Sequence, residues 1–374
     1  MDYRDSYSNC VWTDFNLLEN FMKDVFMKLG SSKEDAEIIA DVLISADKYG
    51  IDSHGIGRFK LIYVDRIEQG ILNPVTKIDI IKETMTTAVL DGNNGMGHVI
   101  SKKAMQIAID KAKIYGLGMT AVRDSSHYGI AGYYPLMCCE NNMIGITGTN
   151  ARPSIAPTFG VENMLGTNPL TIGFPTDEDF PFIIDCATSI AQRGKIEAYA
   201  RAGKKLPEGW VVGVDGKTMT DPDEVLSALV KGTAALTPLG GIGDETGGHK
   251  GYGYAVAVEV LSAALSNAKY MKDLNGIDEH GKKIPFPLGH FFIAINIENF
   301  TAPEIFRSIS GNIMQQLRNS TKAAGEQKIY TAWEKEWLTY QQRSKYGCPV
   351  PEPLRKQLSE MNIKYDLKYN FPWD

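Results

Sequence analysis

Apolar residues recur at helical spacing through the N-terminal part of the chain. Thr13 is placed to cap a first helix that runs to Leu29. The serines at residues 31–32 precede a second helix, whose apolar positions fall between residues 38 and 46. A third apolar face follows and ends at Gly70. The N-terminal segment is therefore predicted to be helical.

The pattern changes after residues 73–74, an Asn-Pro pair, to short apolar strands that alternate with helices. The C-terminal 50 residues return to a charged, helical composition broken by proline. We predict an α/β (α+β) protein in which residues 1–75 and 311–374 form a helical domain and residues 76–310 a mixed-sheet domain. The predicted strands are 86–90, 119–122, 144–147, 182–184 and 291–297, and the predicted helices are 101–115, 132–141, 252–266 and one opened by a capping box at 301–304.

The composition narrows the class of protein. The 374 residues are 43% hydrophobic and 22% charged, as in globular proteins with real cores. A net charge of −6 without a basic run argues against nucleic-acid binding, and no apolar window is long enough for a membrane span. Five cysteines and six histidines lack metal-type spacing. We therefore expect no metal site and, since the first residues are polar, a cytoplasmic location with reduced thiols.

The segment 52–58, with the sequence DSHGIGR, carries the clearest candidate chemistry. A helix that begins near Gly57 would put His54 and Arg58 about one turn apart on one side. An imidazole that exchanges a proton near neutral pH would then lie beside a planar cation that grips a carboxylate. That pair suits a small acid with a hydroxyl or carbonyl on the neighbouring carbon. An ordinary loop with a capping histidine and a solvated arginine is the alternative.

Two further segments follow predicted strands, where ligands commonly meet a sheet. His127, in residues 124–129, is either a second imidazole at the site or a structural histidine in a turn. Residues 185–189 read as a strand end entering a helix that runs towards Ala200. Free amides at such a helix start, with the Thr188 and Ser189 hydroxyls, would bind an anion or amide. Simple capping of the helix is the alternative.

A glycine-rich loop over residues 240–253 leads into a further helix. Seven glycines in fourteen residues, together with Lys250, suggest a phosphate cradle rather than turns alone. No Gly-x-Gly-x-x-Gly follows an early strand, so a Rossmann domain lacks its first requirement. No Gly-x4-Gly-Lys-Ser/Thr occurs either, which argues against a P-loop NTPase.

Taken in order, these motifs resemble the type-2 malate/L-lactate dehydrogenases, a family distinct from the Rossmann-fold enzymes of similar name. That family includes ureidoglycolate and sulfolactate dehydrogenases, a diketogulonate reductase and a piperideine-2-carboxylate reductase. The resemblance runs from about residue 12 to 360. It rests on the following segments: 53–55 (SHG) with Arg58, 127–129 (HYG), 166–170 (GTNPL), 185–189 (DCATS) with 194–195 (GK), 209–210 (GW) and 248–253 (GHKGYG).

The resemblance implies a non-Rossmann NAD(P)-binding domain, a helical domain built from both chain ends, and a homodimer. It implies hydride transfer with NAD or NADP at the carbon next to a carboxylate. By position, His54 and His127 become the candidate acid/base groups, with Ser53, Arg58 and Asn150 as substrate contacts. The cofactor contacts implied are Asp185, Ala187, Thr188, Ser189, His249, Lys250, Gly251, Gly325 and Glu326.

We therefore expect an enzyme that interconverts a 2-hydroxy acid and a 2-oxo acid, with malate/oxaloacetate or lactate/pyruvate first. A cyclic-imine reductase of the same family and a non-catalytic nucleotide-binding scaffold are the alternatives. The choice between the acids, between NAD and NADP, and between His54 and His127 stays open. Ala324 and Gln192 depart from the family pattern near the implied cofactor site, which bears on cofactor preference.

Overall fold

The computed structural model describes residues 3–374. The strands are β1 (Cys10–Thr13), β2 (Asp79–Glu83), β3 (Thr87–Asp91), β4 (Leu117–Ser125), β5 (Met143–Thr149), β6 (Leu170–Phe174), β7 (Phe182–Cys186), β8 (Val211–Gly213), β9 (Ala234–Leu236), β10 (Leu288–Asn296) and β11 (Cys348–Pro351). The longer helices and short helical turns are α1 (Phe15–Lys28), α2 (Lys33–Lys48), α3 (Ile56–Arg58), α4 (Asp65–Glu68), α5 (Gly97–Tyr115), α6 (Tyr133–Glu140), α7 (Arg193–Arg201), α8 (Pro222–Lys231), α9 (Gly248–Ala263), α10 (Pro303–Asn319), α11 (Glu334–Tyr346) and α12 (Glu352–Lys364). A π-helical turn, Phe59–Val64, joins α3 to α4.

A seven-stranded mixed sheet forms the centre of the fold. Its strand order is β2-β3-β4-β10-β5-β6-β7. Only the β3–β4 pair is parallel among these neighbours, and the other five pairs are antiparallel. A Rossmann domain has a mostly parallel sheet built from successive crossovers, so this sheet confirms the predicted non-Rossmann α/β class. β10 lies between β4 and β5 and brings the end of the mixed-sheet segment back to its beginning.

Side-chain caps determine where the two N-terminal helices begin. The Ser32 hydroxyl accepts a hydrogen bond from the Asp35 amide and begins α2, as predicted. Asp14, rather than Thr13, caps α1. Thr13 belongs to β1 and pairs with Cys348 of β11. Sequence pattern missed this strand because its partner lies near the opposite end of the chain.

One apolar cluster joins both chain ends. Buried side chains of α1 and α2 pack against Leu358, Met361 and Phe371 from the C-terminal segment. The β1–β11 pair closes the same region through main-chain bonds. The division into two domains remains a prediction, and its boundary at residue 311 falls inside α10. Because the Ser310 hydroxyl donates to the Pro175 carbonyl, α10 is attached to the sheet through its middle.

Separate clusters cover the sheet and the segment beyond it. α5 and α6 bury apolar side chains against β3, β4 and β10. A further cluster links residues 155–165 with α7, α8 and the start of α9. In the described part of the chain, no helix combines the length and apolar character needed to cross a membrane.

Two further predicted helix starts are wrong. The helix expected at Thr188 and Ser189 begins instead at Arg193, after a cap at Gln192, since the main chain of residue 189 bridges to Pro238 before the helix can start. No capping box opens α10. Its N-cap is Ala302, which has no side-chain acceptor. Pro303 at the first helical position supplies a suitable φ angle. It also lacks an N–H, so the helix start has one backbone donor fewer that needs a partner.

Candidate active site

A cleft of about 520 Å³ lies between the sheet and two segments that cross it. One crossing segment is the turn at residues 51–54, and the other is residues 330–336 at the start of α11. Of the predicted site residues, the cleft wall includes Ser53, His54, His127, Asn150, Asp185 and Ala187. The structure therefore brings together residues that are far apart in sequence. The most distant two, Ser53 and Ala187, are 134 positions apart.

His127 is held by two donors that converge on one ring nitrogen. The Tyr63 hydroxyl lies 2.6 Å from Nδ1, and the Gly129 amide donates to the same atom at 3.3 Å. An amide N–H can only donate, so Nδ1 accepts in the neutral ring and the proton resides on Nε2. In residues 3–374 no group forms a hydrogen bond with that Nε2. The neutral ring can thus donate a hydrogen bond from Nε2 to a ligand.

His54 lies beside His127. The two rings are nearly parallel, with centroids 5.7 Å apart and an interplanar angle of 20°. Ser53 Oγ is 2.8 Å from His54 Nδ1. Burial, together with the nearby Arg58 cation, lowers the pKa of His54 to about 4. Burial likewise holds the pKa of His127 well below its usual value, so both rings are neutral at pH 7 in the free protein.

The turn that carries His54 is anchored by groups outside the cleft. The Asp47 carboxylate accepts from the Ile56 amide at 2.7 Å. A Cβ at residue 55 would lie 2.3 Å from that carboxyl group, so only glycine fits there. The fully buried Arg343 of α11 bonds both carboxylate oxygens of Asp52, at 2.5 and 2.9 Å. A bidentate pair of this kind fixes direction as well as distance.

Arg58 closes the same turn from the other side. Its Nε donates to the Ser53 carbonyl at 2.7 Å, which leaves the outer nitrogens of the guanidinium for other partners. The turn α3 begins at Ile56, one residue before the predicted start. Arg58 is outside the wall of the cleft, but it acts electrostatically on both His54 and His127. A single rigid turn therefore presents Ser53, His54 and Arg58.

Asp185 and the residues after it form hydrogen bonds within the fold. Asp185 accepts from the Gly132 amide at 2.7 Å, which begins α6, and from the Thr171 hydroxyl at 3.2 Å. Burial raises the pKa of its carboxyl group. The Thr188 hydroxyl lies 3.0 Å from the Asn168 carbonyl, and the Ser189 hydroxyl donates to Ala191 at 2.8 Å. These hydroxyls already have acceptors, so they do not form the predicted open site at a helix start.

The glycine-rich loop packs against that segment. The Leu239 amide donates to the Thr188 carbonyl at 2.8 Å. A Cβ on Gly248 would lie 2.0 Å from the Gly241 carbonyl oxygen, and one on Gly251 would lie 2.1 Å from that of Leu239. Close packing of the backbone therefore accounts for these glycines. His249 and Lys250 are exposed in the first turn of α9 and lie outside the wall of the cleft.

The remaining predicted contacts lie elsewhere. Gly325 and Glu326 belong to an exposed segment after α10. The end of that segment, Tyr330 to Trp333, does line the cleft. Asn150 lines it too, but its amide oxygen accepts from Gly289 at 2.8 Å and its amide nitrogen donates to the Lys269 carbonyl at 3.0 Å. Gln192, a departure from the family pattern, caps α7 and borders the cleft.

Sequence analysis missed the residues that hold the site together. Asp47, Tyr63 and Arg343 lie in helical segments that read as ordinary amphipathic faces. Trp333, with a left-handed φ of 71°, borders the cleft from the C-terminal segment. One signal was available for Asp47, because it interrupts the apolar face of α2 and is only 2% exposed. Within residues 3–374, no group of three or more metal-ligating side chains converges.

Known proteins are similar to this chain over nearly its whole length. A sequence model of the malate/L-lactate dehydrogenase family matches residues 13–359. The chain belongs to this family. Malate dehydrogenase of Pyrococcus abyssi is 43% identical over 351 residues, which are 94% of each chain. L-Sulfolactate dehydrogenase of Methanocaldococcus jannaschii is 39% identical, with 90% of this chain and 92% of the relative covered.

A solved structure supports the same assignment. The crystal structure of malate dehydrogenase from Entamoeba histolytica has a TM-score of 0.91 with this chain at 47% identity, and the match covers 96% of this chain and 99% of that one. Membership in the malate/L-lactate dehydrogenase family confirms the resemblance seen in the motifs and makes the chain an oxidoreductase of the hydroxyacid dehydrogenase type.

Proposed function

We propose that this protein interconverts a 2-hydroxy acid and a 2-oxo acid with NAD or NADP, and that malate/oxaloacetate or lactate/pyruvate are its substrates. The observation that carries the proposal is the pair of neutral imidazoles in one cleft, of which His54 lies on the same turn as Arg58. The reaction adds or removes a proton at an oxygen on the carbon next to a carboxylate. It therefore needs an imidazole and a guanidinium side by side.

A nicotinamide dinucleotide fits the residues around the cleft. The volume and the mixture of apolar and polar lining are those of small-molecule sites. Residues 185–190 lead from the cleft to the glycine-rich loop, where the exposed His249 and Lys250 suit a phosphate. We assign Ala187, Thr188 and Ser189, which lie between the cleft and that loop, to the nucleotide side of the site. When bound, the cofactor supplies or accepts the hydride, and the protein supplies orientation and polarity.

The substrate carboxylate is assigned to Arg58. Its Nε is already bonded to Ser53, so the guanidinium plane is fixed before the acid arrives. Pre-orientation of this kind lowers the entropy lost on binding. The outer nitrogens then form the bidentate contact that a carboxylate prefers. Ser53 lies on the same turn and is bonded to His54. We therefore assign Ser53 an indirect role, in which it acts on the substrate through the His54 ring and does not bind the acid itself.

We assign the proton transfer to His127, through Nε2. The neutral ring donates a hydrogen bond from Nε2 to the C2 oxygen of a 2-oxo acid. The negative charge of the bound acid opposes the effect of burial and favours the doubly protonated ring. In reduction, Nε2–H passes to the C2 oxygen while Nδ1–H is held by the Tyr63 oxygen, since a hydroxyl can accept as well as donate. Oxidation uses the other neutral tautomer, with the proton on Nδ1 and bonded to the Tyr63 oxygen, so that the free Nε2 takes the hydroxyl proton.

Assembly and location complete the proposal. α10 carries an exposed apolar stripe on one face, and a stripe of this kind suits burial against a second copy, which supports a homodimer. The stripe consists of Ile305, Ile309, Ile313 and Leu317, which are 48–56% exposed. All five cysteines are free, which supports a cytoplasmic enzyme.

A substrate panel tests the proposed function. Purified protein is assayed with oxaloacetate, pyruvate and a cyclic imino acid, each with NADH and with NADPH. We expect turnover of at least one 2-oxo acid with one of the nucleotides. Turnover of the cyclic imine alone would replace the proposal with imine reduction, and nucleotide binding without turnover of any compound would reduce the chain to a binding scaffold.

A further inference from the structure

Glu259 is a buried carboxylate that no cation neutralises. It lies on α9 and is 6% exposed. None of the described lysines, arginines or histidines forms an ion pair with it. Burial raises the pKa of its carboxyl group, and three N–H donors oppose that shift. One of these donors is the Met271 amide, at 2.9 Å. A buried charge without a counter-ion is costly, and the other two donors show what this carboxylate holds in place.

One of them belongs to the cleft wall beside the proposed proton donor. Asn150 Nδ2 donates to Glu259 Oε1 at 3.4 Å, and the rest of the Asn150 amide is bonded to Gly289 and to Lys269. Asn150 directly follows β5 and lines the cleft. Only β10 separates β5 from β4, which ends two residues before His127. Glu259 therefore helps to fix the wall on the side of the proposed acid site.

The last donor belongs to a turn on the nucleotide side. Asn168 Nδ2 donates to Glu259 Oε2 at 2.7 Å. Asn168 has a φ of 35°, in the left-handed region that residues other than glycine seldom adopt, so this bond helps to hold an unfavourable backbone. Its neighbours Thr167 and Pro169 line the cleft. Because the Asn168 carbonyl accepts from the Thr188 hydroxyl at 3.0 Å, the turn also holds the segment assigned to the nucleotide.

The two oxygens of one carboxylate thus connect both sides of the cleft to α9. The same helix begins at Gly248 in the glycine-rich loop. Its Ala255 carbonyl accepts from Asn168 Nδ2 at 3.1 Å, one turn before Glu259. The Glu259 side chain itself lies outside the wall of the cleft. Its effect on a ligand must therefore pass through Asn150 and Asn168.

We propose that Glu259 is a positioning residue for hydride transfer, which fixes the spacing between the wall at Asn150 and the nucleotide segment behind Asn168. The inference rests on the proposed function, in which the acid and the nicotinamide meet in this cleft. Reacting atoms have to lie about 3–3.5 Å apart, and a misplacement of about 1 Å can cost roughly 100-fold in rate. A residue that sets spacing without touching either ligand should act on the transfer step rather than on binding.

The test is Glu259→Gln, which keeps the size of the side chain but replaces an accepting oxygen with an N–H donor. Glu224→Gln, which neutralises an exposed acid on α8, is the matched control. Hydride transfer is measured in a single turnover by stopped flow, with the acid that the substrate panel selects, so that product release does not mask it. We expect the transfer rate to fall about 10- to 100-fold. The KM of the acid and the Kd of NADH or NADPH should change by less than about threefold.

A reversal of donor and acceptor separates positioning from stability. Asn168→Asp alone puts two carboxylates at a contact of 2.7 Å and should slow transfer at least as much. In Glu259→Gln/Asn168→Asp the amide donates to the new carboxylate, so the rate should recover at least about fivefold over Asn168→Asp. In the cofactor-free protein, the side-chain amide resonance of Asn150 should shift in Glu259→Gln, because that amide has lost its acceptor.

The outcomes separate this inference from the proposed function. A transfer rate in Glu259→Gln within about threefold of the control overturns the inference. An equal loss of cofactor affinity, an unmoved Asn150 resonance, or a double variant without recovery also overturns it, and the proposed function stands in each case. A wild type that turns over no acid overturns both. If Glu259→Gln does not fold, Glu259→Asp carries the test. It keeps the charge but shortens the reach, so the same fall in rate at unchanged cofactor Kd is expected, and a normal rate overturns the inference.

Discussion

The turn that carries His54 and the loop over residues 240–251 are held in place by opposite means. Two side chains from outside the cleft, Asp47 and Arg343, fix the turn, which presents His54 with a free ring nitrogen beside His127. Backbone packing fixes the loop, because Gly248 and Gly251 touch carbonyl oxygens that a side chain would displace. The comparison indicates that anchored polar side chains orient the candidate catalytic groups, whereas the clustered glycines allow the backbone to pack closely.

Replacing the two histidines should have the largest effect on catalysis. His127→Asn is expected to lower kcat by about 10²–10⁴, the usual contribution of a positioned acid/base. His54→Asn is the matched comparison and should cost less, because the proton transfer is assigned to His127. Steady-state kinetics of both variants decide between them, and near-normal kcat in both would remove the imidazoles from the mechanism.

The pH profile sharpens the same assignment. Burial depresses the pKa of His127 in the free protein, and reduction needs the protonated ring. In wild type, kcat/KM for reduction should therefore rise as the pH falls from 8 towards 5. The slope should disappear in His127→Asn but persist in His54→Asn. A slope that disappears only in the His54 variant would move the proton transfer to that ring.

A glycine pair tests the other half of the comparison. Gly248→Ala should lower the free energy of unfolding by about 3 kcal/mol, since its Cβ would lie 2.0 Å from a backbone oxygen. Gly253→Ala, five residues further along α9, meets no atom within 4 Å and should raise stability by about 0.5–1 kcal/mol. Urea unfolding of both variants gives the measurement. Similar stability in the two would show that the loop does not depend on close packing.

The fold was predictable where local pattern and cap chemistry agree. Ser32 begins α2 as expected, and the mixed sheet follows from alternating apolar strands between residues 76 and 310. β1 and its partner β11 were not predictable, because a strand of four residues takes its stability from a partner near the other chain end. The predicted helix start at Thr188 was wrong for a related reason. The main chain of residue 189 bridges to Pro238, and the local sequence does not indicate that pairing.

Some residues of the cleft wall were predictable one by one, but their assembly was not. The motifs named Ser53, His54 and His127, and the fold puts all three in the cleft wall. Nothing in the sequence connects Tyr63 to His127, since that hydrogen bond joins positions 64 residues apart. Roles of His249, Lys250, Gly325 and Glu326 remain predictions that ligand binding has to test.

Lys250 offers that test on the loop side. If the loop receives the cofactor phosphates, Lys250→Ala should weaken nucleotide binding by about 1–3 kcal/mol, the worth of a hydrogen bond to a charged group. Lys231→Ala, an exposed lysine at the end of α8, is the control. Fluorescence titration with NADH or NADPH measures both. Equal affinities in the two variants would leave the loop with a purely structural role.

The smallest expected effect belongs to Tyr63→Phe, which keeps the ring and removes only the hydroxyl. The hydroxyl is one of two donors to His127 Nδ1, and the other, from Gly129, is longer at 3.3 Å. The Gly129 amide still donates to Nδ1 in this variant, so the neutral ring keeps its proton on Nε2. The variant does remove the acceptor proposed for Nδ1–H, which the doubly protonated ring needs during reduction. We expect kcat to fall about tenfold with cofactor affinity unchanged.

An NMR titration separates this role of Tyr63 from simple packing. The ¹⁵N shifts of His127 should report a proton on Nε2 of the neutral ring in wild type and in Tyr63→Phe, because the Gly129 amide donates to Nδ1 in both. The pKa of His127 should be lower in Tyr63→Phe than in wild type, because Nδ1–H of the protonated ring has lost its acceptor. His54, which is bonded to Ser53 rather than Tyr63, serves as the internal control and should not change. If kcat falls while the pKa of His127 stays the same, Tyr63 acts by packing alone, and the assignment of its oxygen as the acceptor of Nδ1–H is wrong.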